Sequence, residues 1–462
     1  MRRSKLVRVA ATMGVIAAMA WATTGGAGAA SRFERAVPTP NSFNTVPFKS
    51  AVGHGAAVPA GTSKNVNITH KTGAQSETSI AVDPTDANHI VAASNDLSNF
   101  SSYNGVYESF DRGRTWANAG LQVNAFCYDP WLDFNSAGDL FFSYECSDQR
   151  IAYRLHGSTT WVQSNSLPAG SFPDRDMVVT DDNPTSPFFG SVYIGYDDNG
   201  QSNRAHIMIS RNGQGGWVES PGIDDSVSTS DVIGNNVAVG NDGTVYATWE
   251  DYAHGFIKSD VSHDGGTTWT TDRIVTDFRL NTSGFFIFIP PQPQRGVLPM
   301  PMTDVAPAGT TFANRLYVVY MDSDADGSAN TNIYLRYSDD GGATWSSEKE
   351  INDDTTDAWH FFPTISVAPN GTVGVSFYDT RRDPTGKKTD QFFSMSTDGG
   401  NTWSANVRIT AAQSDESGNG DANDYGDYEG GDVSPAGWFA LVWADSRPGT
   451  NAEDMVTSNF KP

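Results

Sequence analysis

From about residue 64 to the C-terminus, short apolar segments alternate with turns rich in Gly, Asp, Asn and Pro. Apolar runs of about four to eight residues between such turns are typical of buried β-strands. The segments form seven similar units. In each unit a first strand often ends in a VDP, VAP or VSP turn, and a second strand ends in an aromatic residue close to an acidic one. A third strand leads into another turn and a fourth leaves it, which predicts an all-β chain.

The turn between the third and fourth strands is repeated with the frame Ser-x-Asp-x-Gly-x-Thr-Trp. It occurs as SFDRGRTW (109–116), SHDGGTTW (262–269), SDDGGATW (338–345) and STDGGNTW (396–403), and degenerate copies end at Trp161 and Trp217. The Asp carboxylate is suited to accept backbone N–H bonds within its own turn, and the Gly permits positive φ. The Trp is large enough to seal the joint with a neighbouring unit. These repeated residues therefore indicate a repeated fold unit, not a single site.

The seventh unit lacks its fourth strand. The segment KNVNITHKTG (Lys64–Gly73) resembles ANVRITAAQS (Ala405–Ser414), the fourth strand of unit six. An N-terminal strand that completes the last unit closes a ring and protects the sheet edges. The pattern thus predicts a seven-bladed β-propeller of four-stranded antiparallel blades, with six blades as the alternative if one unit is miscounted.

The N-terminus has the organisation of a secretory signal peptide, which we place at residues 1–30. Basic residues precede an apolar run, and small residues follow it. Residues 31–63 have the composition of a disordered leader, so the propeller spans 64–462. Arg2-Arg3 leaves twin-arginine export as an alternative route. We expect a secreted, extracellular protein, and no later stretch is long enough to span a membrane.

The formal net charge is −24, which argues against nucleic acid and anionic membrane surfaces as partners. We expect a monomer. The two cysteines, Cys127 and Cys146, flank a hairpin whose turn is centred near Ala137. They therefore face each other across antiparallel strands, and secretion supplies an oxidising compartment, so a disulfide is predicted. Two free buried thiols are the alternative.

The four repeated turns resemble the Asp-box, or BNR, repeats of sialidases and related secreted propellers that act on glycans. The resemblance covers the chain from the first blade to the last. It implies that the Asp boxes lie on the face away from the ligand. The functional face would then be formed by the starts of first strands and the loops after second strands, and the partner would be an extracellular glycan or polysaccharide.

Sorting residues by that face gives carboxylates for acid–base chemistry, which glycosidic cleavage requires in pairs. The candidates for general acid or base are Asp129, Asp174 and Asp427, and Tyr428 lies beside the last of them. Sialidases use a Tyr nucleophile. The alternative is that these carboxylates accept backbone hydrogen bonds and line a water-filled channel.

Candidates for substrate binding on the same face are Arg175, Arg381, Arg447 and His360. Arginine forks suit the carboxylate of an acidic sugar. However, the early Arg-Ile-Pro motif of sialidases is missing, and the Asp-x-Arg pairs at 379/381 and 445/447 recur in adjacent blades. That recurrence favours salt bridges between blades for those two arginines, and a packed loop residue is the alternative for His360.

The loop DSDADGSAN (322–330) places Asp322, Asp324 and Asp326 at alternate positions before a Gly, as calcium loops do. The bidentate Glu of an EF-hand is absent, since Ile333 stands at the twelfth position. We expect structural calcium here, with a solvated acidic loop as the alternative, and no organic cofactor.

The spacing between the second and third Asp-box turns is longer than the others, and the extra residues (280–301) include SGFFIFIPPQPQRGVLPMP. This insertion is predicted to form a semi-rigid lid or aromatic wall over the functional face. A strand against the channel rim and a partner interface are the alternatives. The sequence as a whole favours a sialidase-like glycoside hydrolase. A non-catalytic carbohydrate- or protein-binding propeller and a propeller polysaccharide lyase remain open.

Overall fold

The computed structural model describes residues 65–97, 104–123, 126–164, 172–199, 203–225, 231–280, 286–324, 330–417, 423–447 and 452–462. The described residues form seven four-stranded antiparallel sheets and one two-stranded sheet. The predicted signal peptide and leader lie outside these residues. In the described part of the chain there is no helix of the length and apolarity that a membrane crossing requires.

Six of the blades each contain four strands that follow one another in the chain. A short strand that belongs to the seventh blade, β1 (Val66–Asn67), comes first. Blades 1 and 2 contain β2 (Gln75–Val82), β3 (Ile90–Asp96), β4 (Asn104–Ser109), β5 (Ala117–Asn118), β6 (Tyr128–Phe134), β7 (Leu140–Glu145), β8 (Gln149–Arg154) and β9 (Val162–Gln163). Blades 3 and 4 contain β10 (Pro173–Thr180), β11 (Val192–Asp198), β12 (Arg204–Ser210), β13 (Val218–Glu219), β14 (Val232–Val239), β15 (Val245–Asp251), β16 (Phe256–Ser262) and β17 (Arg273–Asp277).

A hairpin separate from the blades follows, formed by β18 (Ile287–Ile289) and β19 (Gln292–Val297). Blades 5 and 6 contain β20 (Met302–Val305), β21 (Leu316–Ser323), β22 (Thr331–Ser338), β23 (Lys349–Glu350), β24 (His360–Val367), β25 (Val373–Asp379), β26 (Asp390–Ser396) and β27 (Val407–Arg408). Blade 7 contains β28 (Gly430–Val433), β29 (Phe439–Asp445) and β30 (Asp454–Phe460).

The ring is closed by β1, which pairs antiparallel with β30 and completes blade 7. Val66 lies opposite Thr457, and Asn67 lies opposite Val456. The pairing with β30 continues one residue beyond β1, where the Ile68 N–H donates to the Met455 carbonyl at 2.8 Å. The prediction of seven blades closed by an N-terminal strand is confirmed, and the alternative of six blades is wrong.

Each of the four repeated turns joins the third and fourth strands of its blade, as predicted. In the copy at 338–345, the Thr344 N–H and hydroxyl donate to the Asp340 carboxylate at 2.8 and 2.7 Å. The Gly342 N–H donates to Ser338 Oγ at 2.8 Å. Trp345 packs against apolar residues of blades 4 and 5, including Tyr246 and Leu316. The turn therefore stabilises both its own hairpin and the joint between neighbouring blades.

The antiparallel order places these turns and the starts of the first strands at opposite ends of each blade. The first strands (β2, β6, β10, β14, β20, β24 and β28) therefore begin on the face that the repeated turns do not occupy. Cys127 and Cys146 form a disulfide on that face, next to the paired residues Tyr128 and Glu145. The predicted disulfide is confirmed.

Candidate functional site

The first strands of five blades carry the same irregularity near their N-terminal ends. In each of them one extra residue is inserted into the ladder, as a β-bulge. The inserted residue has a left-handed φ: Glu77 (53°), Asp129 (52°), Arg175 (60°), Gly234 (73°) and Phe362 (47°). This backbone conformation is unfavourable for residues other than Gly, so contacts with the surrounding structure must stabilise it. Bulges of this kind re-aim side chains, and here they direct Glu77, Asp129 and Arg175 into one region.

Three carboxylates from blades 2 and 3 meet in that region. Asp129 lies at the start of β6, Glu145 at the end of β7, and Asp174 at the start of β10. One oxygen from each lies within 4.8 Å of the other two. Three carboxylates this close cannot all be ionised without a counter-charge. The same oxygens could accept a divalent cation, or they could share protons.

Protonation of this group is favoured by its environment. Burial, together with the charge of Asp129, raises the pKa of Asp174 to about 7, although Asn199 donates to Asp174 at 3.1 Å and limits the rise. Burial also raises the pKa of Glu145 well above its ordinary value. Asp174 is therefore partly protonated near neutral pH, and the protonated form of Glu145 is favoured as well. A carboxyl group with a pKa close to the working pH is well suited to proton transfer.

Asp129 is held in place by its neighbours. Its N–H donates to Asn95 Oδ1 at 3.0 Å, and its Oδ2 accepts the N–H of Arg175 at 3.1 Å. The side chain of Asn95 in turn donates to Glu77. This chain of contacts links the inner strands of blades 1, 2 and 3, and it fixes the direction of the Asp129 carboxylate toward Asp174.

The hairpin β18–β19 brings an arginine to the same region. Arg295 Nη2 lies 2.8 Å from Glu77 Oε1, and Arg295 Nε lies 2.9 Å from Asp427 Oδ1. The N–H groups of Gln294 and Arg295 donate to Asp424 Oδ2 at 2.7 and 2.8 Å. The insertion thus lies over the strand starts of blades 7 and 1, on the face for which the lid was predicted.

Arg295 stays charged in this position. Burial alone would lower the pKa of Arg295, but the charges of Asp427 and Glu77 outweigh it and raise the pKa well above its ordinary value. Burial raises the pKa of Glu77, and the charge of Asp129 adds to the rise. Arg295 was not among the residues predicted for the site. The insertion that contains it occurs only once, so the sequence does not indicate which blades it will contact.

A second arginine, Arg175, is buried beside the carboxylates. Its side chain lies under the ring of Tyr428, with Cζ 3.7 Å from the ring centroid, and 5.7 Å from the ring centroid of Trp131. The residue is 2 % exposed, and Nε and Nη1 have no hydrogen-bond partner among the described residues. Nη2 reaches only the sulfur of Met302, at 3.9 Å. A buried guanidinium normally has more hydrogen-bond partners than this, so Nε and Nη1 of Arg175 can donate to a further acceptor.

Arg175 faces a small cavity. Its lining residues are Arg175, Leu298, Met300, Met302, Phe362, Pro363, Asp427 and Tyr428. Leu298 and Met300 follow the hairpin in the chain and close the cavity against Gly234 and Ile233 of blade 4. None of the described residues forms a hydrogen bond with the Tyr428 hydroxyl. Burial raises the pKa of Tyr428 well above its ordinary value, and the charge of Asp129 adds to this.

The structure therefore brings together five of the predicted site residues: Asp129, Asp174, Arg175, Asp427 and Tyr428. Arg381 and His360 belong to a different charged network. Arg381 contacts Asp353 through Nη1 at 2.6 Å, and it pairs with Asp379. His360 Nε2 lies 3.0 Å from Asp354 and 3.3 Å from Asp379.

The two Asp-x-Arg pairs form their ion pairs within each motif, since Arg447 Nη2 lies 2.7 Å from Asp445 just as Arg381 pairs with Asp379. Residues two apart at the end of a strand lie on the same side, within reach of each other, which explains the pairing within each motif. Arg381 also pairs with Asp353, in the segment that joins blades 5 and 6, so the interpretation of these pairs as salt bridges between blades stays a prediction.

The acidic loop at 322–330 is described only in part, since Asp326 lies outside the described residues. Asp322 accepts the N–H groups of Arg279 and Leu280 at 2.9–3.1 Å and that of Ser323 at 2.8 Å. Its carboxylate therefore caps the neighbouring segment after β17. Calcium binding by Asp322, Asp324 and Asp326 stays a prediction.

No protein-family model and no curated protein matches the sequence. Solved structures with the same fold include a protein of unknown function from Dyadobacter fermentans, with 12% identity and a TM-score of 0.49, covering 87% of this chain and 100% of that one. An α-L-arabinofuranosidase of Fusarium graminearum bound to arabinobiose has 14% identity and a TM-score of 0.46, covering 87% and 98%. The leech intramolecular trans-sialidase has 10% identity and a TM-score of 0.44, covering 71% and 68%. At these identities the likeness concerns the fold alone.

Proposed function

We propose that the protein is an exported glycoside hydrolase that acts on an extracellular glycan, with the reaction at the carboxylates of blades 2 and 3. The observation that carries the proposal is the pair Asp174 and Asp129, in which a carboxyl group with its pKa raised to about 7 lies beside a second carboxylate. The disulfide supports export to an oxidising compartment.

In this mechanism protonated Asp174 donates its proton to the glycosidic oxygen as the bond to the leaving group breaks. Asp129, oriented by Asn95 and by the N–H of Arg175, faces the developing positive charge of the sugar. The oxygens of the two residues lie within 4.8 Å. This spacing is closer to the separation of about 5–5.5 Å in retaining enzymes than to the 6.5–9.5 Å or so of inverting ones. We therefore expect retention, with Asp129 as nucleophile.

The substrate is expected to carry a negative group, as the sialidase-like hypothesis requires. Arg175 is a buried cation with two nitrogens that lack partners, and it faces the cavity beside Tyr428. A sugar carboxylate would accept a bidentate pair of hydrogen bonds from these nitrogens. For such a substrate Tyr428 is the alternative nucleophile, because its hydroxyl is free of hydrogen bonds and its ring lies against the Arg175 cation.

Access to the site requires the hairpin to move. Leu298 and Met300 line the cavity from the hairpin side, and Arg295 pairs with Asp427, which also lines it. The cavity as it stands is too small for a sugar ring. The hairpin makes charged and backbone contacts to Glu77, Asp424 and Asp427, and its residues Ile289 and Val297 are buried in the hydrophobic core. An anionic glycan would compete with these carboxylates for Arg295. We therefore assign the insertion the role of a lid.

A non-catalytic binding propeller is the second candidate. It is favoured by the same closed cavity, and by the fact that Arg295 already engages Glu77 and Asp427. A lyase with His360 as base is disfavoured. Burial alone would lower the pKa of His360, but Asp379 and Asp354 raise it to about 10, so the imidazole stays protonated.

The test is release of new reducing ends from a panel of acidic and neutral glycans by the purified protein. Asp174→Asn and Asp129→Asn should each abolish release, whereas Asp277→Asn, an exposed carboxylate at the end of β17, should not. NMR of the first product would show which anomer forms. Saturable glycan binding without any cleavage would establish the binding propeller instead, and full activity in both site variants would refute the assignment of Asp174 and Asp129.

A further inference from the structure

Three side chains of the kinds that ligate metal ions lie together on blade 3, apart from the carboxylates of the proposed site. Asp198, His206 and Glu219 come from three adjacent strands, β11, β12 and β13. The register places Tyr196 opposite His206 and Met208 opposite Glu219. Because side chains alternate along a strand, Asp198, His206 and Glu219 all lie on the same face of the sheet.

The three side chains converge. One ligand atom from each lies within 4.8 Å of the other two, and His206 Nδ1 lies 3.3 Å from Glu219 Oε1. A first-row cation bound at about 2.1 Å needs its ligands roughly 3–4 Å apart. The group therefore needs only a small contraction to surround an ion.

His206 itself points to a ligand that is missing from the protein's own contacts. The residue is 3 % exposed, and within the described part of the chain neither ring nitrogen has a hydrogen-bond partner with acceptable geometry. Buried imidazole nitrogens almost always have a partner, because leaving them without one is costly. The ring is held in place by Tyr196, whose ring stacks on it with centroids 5.7 Å apart.

The surroundings fit a metal centre in two further respects. The Tyr196 hydroxyl donates to Glu219 Oε1 at 2.5 Å, which is the kind of outer contact that orients a ligating carboxylate. The side chain of Glu219 is 24 % exposed on β13, the outer strand, so an ion can enter from the edge of the blade. Arg204, the nearby cation on β12, is held by Asp224 at 3.2 Å.

We propose that Asp198, His206 and Glu219 form a binding site for a divalent transition-metal ion, with water completing the coordination. One imidazole and two carboxylates suit Zn²⁺ and its neighbours in the first row, whereas Ca²⁺ prefers oxygen ligands alone. The ion would tie the outer strand β13 to β11 and β12. This site is independent of the proposed glycan chemistry.

The experiment uses the purified chain after treatment with a chelator. Zn²⁺ should bind in one equivalent by calorimetry and raise the Tm, Ca²⁺ should not compete, and Co²⁺ should give visible d–d bands that report a nitrogen-containing site. His206→Gln and Glu219→Gln should lose stoichiometric binding and the Co²⁺ bands. His263→Gln, which alters an exposed histidine in a repeated turn, should keep both.

Glu219→Gln decides the result if His206→Gln does not fold, as judged by circular dichroism. The proposal is overturned if the wild-type chain takes up no stoichiometric Zn²⁺, or if the Co²⁺ bands survive in a folded His206→Gln or Glu219→Gln variant. It is also overturned if His263→Gln loses the metal to the same extent as the site variants.

Discussion

Arg295 Nη2 lies 2.8 Å from Glu77 Oε1, so the hairpin that follows blade 4 is joined to the inner strand of blade 1 across the face of the propeller. Glu77 adopts a left-handed backbone at its bulge, with φ 53°. The same guanidinium also pairs with Asp427 of blade 7. One side chain therefore connects the hairpin, the first blade and the last, and it compensates the charge of carboxylates that the fold brings together.

Removing this cation should destabilise the protein and loosen the lid. Arg295→Met leaves Glu77 and Asp427 without their partner, and breaking a buried ion pair costs about 3–5 kcal/mol. Because Arg295 is partly exposed, we expect the lower end of that range. Denaturant unfolding measures the loss, and Arg273→Met, at an exposed arginine of β17, is the matched control. Equal stability of the two variants would contradict the role given to Arg295.

Stability should fall as the pH rises from about 4 to 7. The pKa of Asp174 is raised to about 7 in the folded protein, chiefly by burial, so the folded state holds its proton more tightly than the unfolded state does. The stabilisation is complete below the ordinary pKa of an aspartate and is lost as the pH passes 7. Each pKa unit corresponds to about 1.4 kcal/mol. Thermal unfolding at pH 5 and pH 8 should show a difference that Asp174→Asn reduces.

Asp277→Asn is the control for this pH effect, since its carboxylate is exposed. The same titration should appear in activity. If Asp174 is the general acid, kcat/KM falls above about pH 7 as the proton is lost. A Tm that rises with pH over this range, or an Asp174→Asn variant with an unchanged pH dependence, would show that Asp174 does not titrate as described.

The fold followed from the sequence because its signals repeat. The frame Ser-x-Asp-x-Gly-x-Thr-Trp marks the same turn in four blades, and each copy makes its hydrogen bonds locally, as between Asp340 and Thr344. The closing strand was recognisable for the same reason. The contact between Arg295 of the hairpin and Glu77 of blade 1 could not be recognised in the sequence. The two residues are 218 positions apart, and the hairpin has no second copy for comparison.

Site residues were predicted in part. Asp129, Asp174 and Arg175 could be placed because they stand at the starts of first strands, where the repeat fixes the register. The bulges that bring them together give no sequence signal of their own, since Glu77, Gly234 and Phe362 occupy equivalent positions. His360 and Arg381 were grouped with them only because they lie on the same face of the propeller. That position does not reveal which carboxylates will pair with them, and in the structure these are Asp354 and Asp379.

The repeated turns should matter for stability and not for glycan chemistry. Asp340→Ala removes the acceptor for the Thr344 N–H and hydroxyl and for the Ser338 hydroxyl. A hydrogen bond contributes roughly 1 kcal/mol, so we expect a loss of about 1–3 kcal/mol. Denaturant unfolding and glycan binding, measured together, check the prediction, with Asp277→Ala as control. Loss of glycan binding in a folded Asp340→Ala variant would show that the glycan binds on the face of the repeated turns and not on the face proposed for it.

The disulfide should stabilise the hairpin of blade 2 and the carboxylates beside it. Cys127 and Cys146 are 19 residues apart, and closing a loop of this size is worth about 3 kcal/mol. The Cys127→Ser/Cys146→Ser double variant should unfold at lower denaturant concentration. Adding a reductant should lower the stability of the wild-type chain toward that of the variant, and no change in either experiment would show that the bridge makes no contribution.

Substitution of Arg175 should affect glycan binding and protein stability in different directions. Its guanidinium is buried, and two of its nitrogens lack hydrogen-bond partners among the described residues, so the folded protein carries the cost of a poorly hydrogen-bonded cation. Arg175→Met keeps the length of the side chain and its packing on Tyr428 while removing that charge. We therefore expect the variant to be as stable as the wild type or up to about 1–2 kcal/mol more stable, since replacing buried charges by apolar groups is often neutral or stabilising.

The same variant should lose binding of acidic glycans and keep binding of neutral ones, because only the former need the cation. Arg175→Lys should retain part of the acidic-glycan binding, as a charge without the bidentate fork. Unfolding by denaturant and calorimetric titration with a matched pair of acidic and neutral oligosaccharides measure the two effects on one sample. A strongly destabilised Arg175→Met variant would mean that the charge is compensated in the protein itself, and unchanged acidic-glycan binding would mean that Arg175 does not hold the anion.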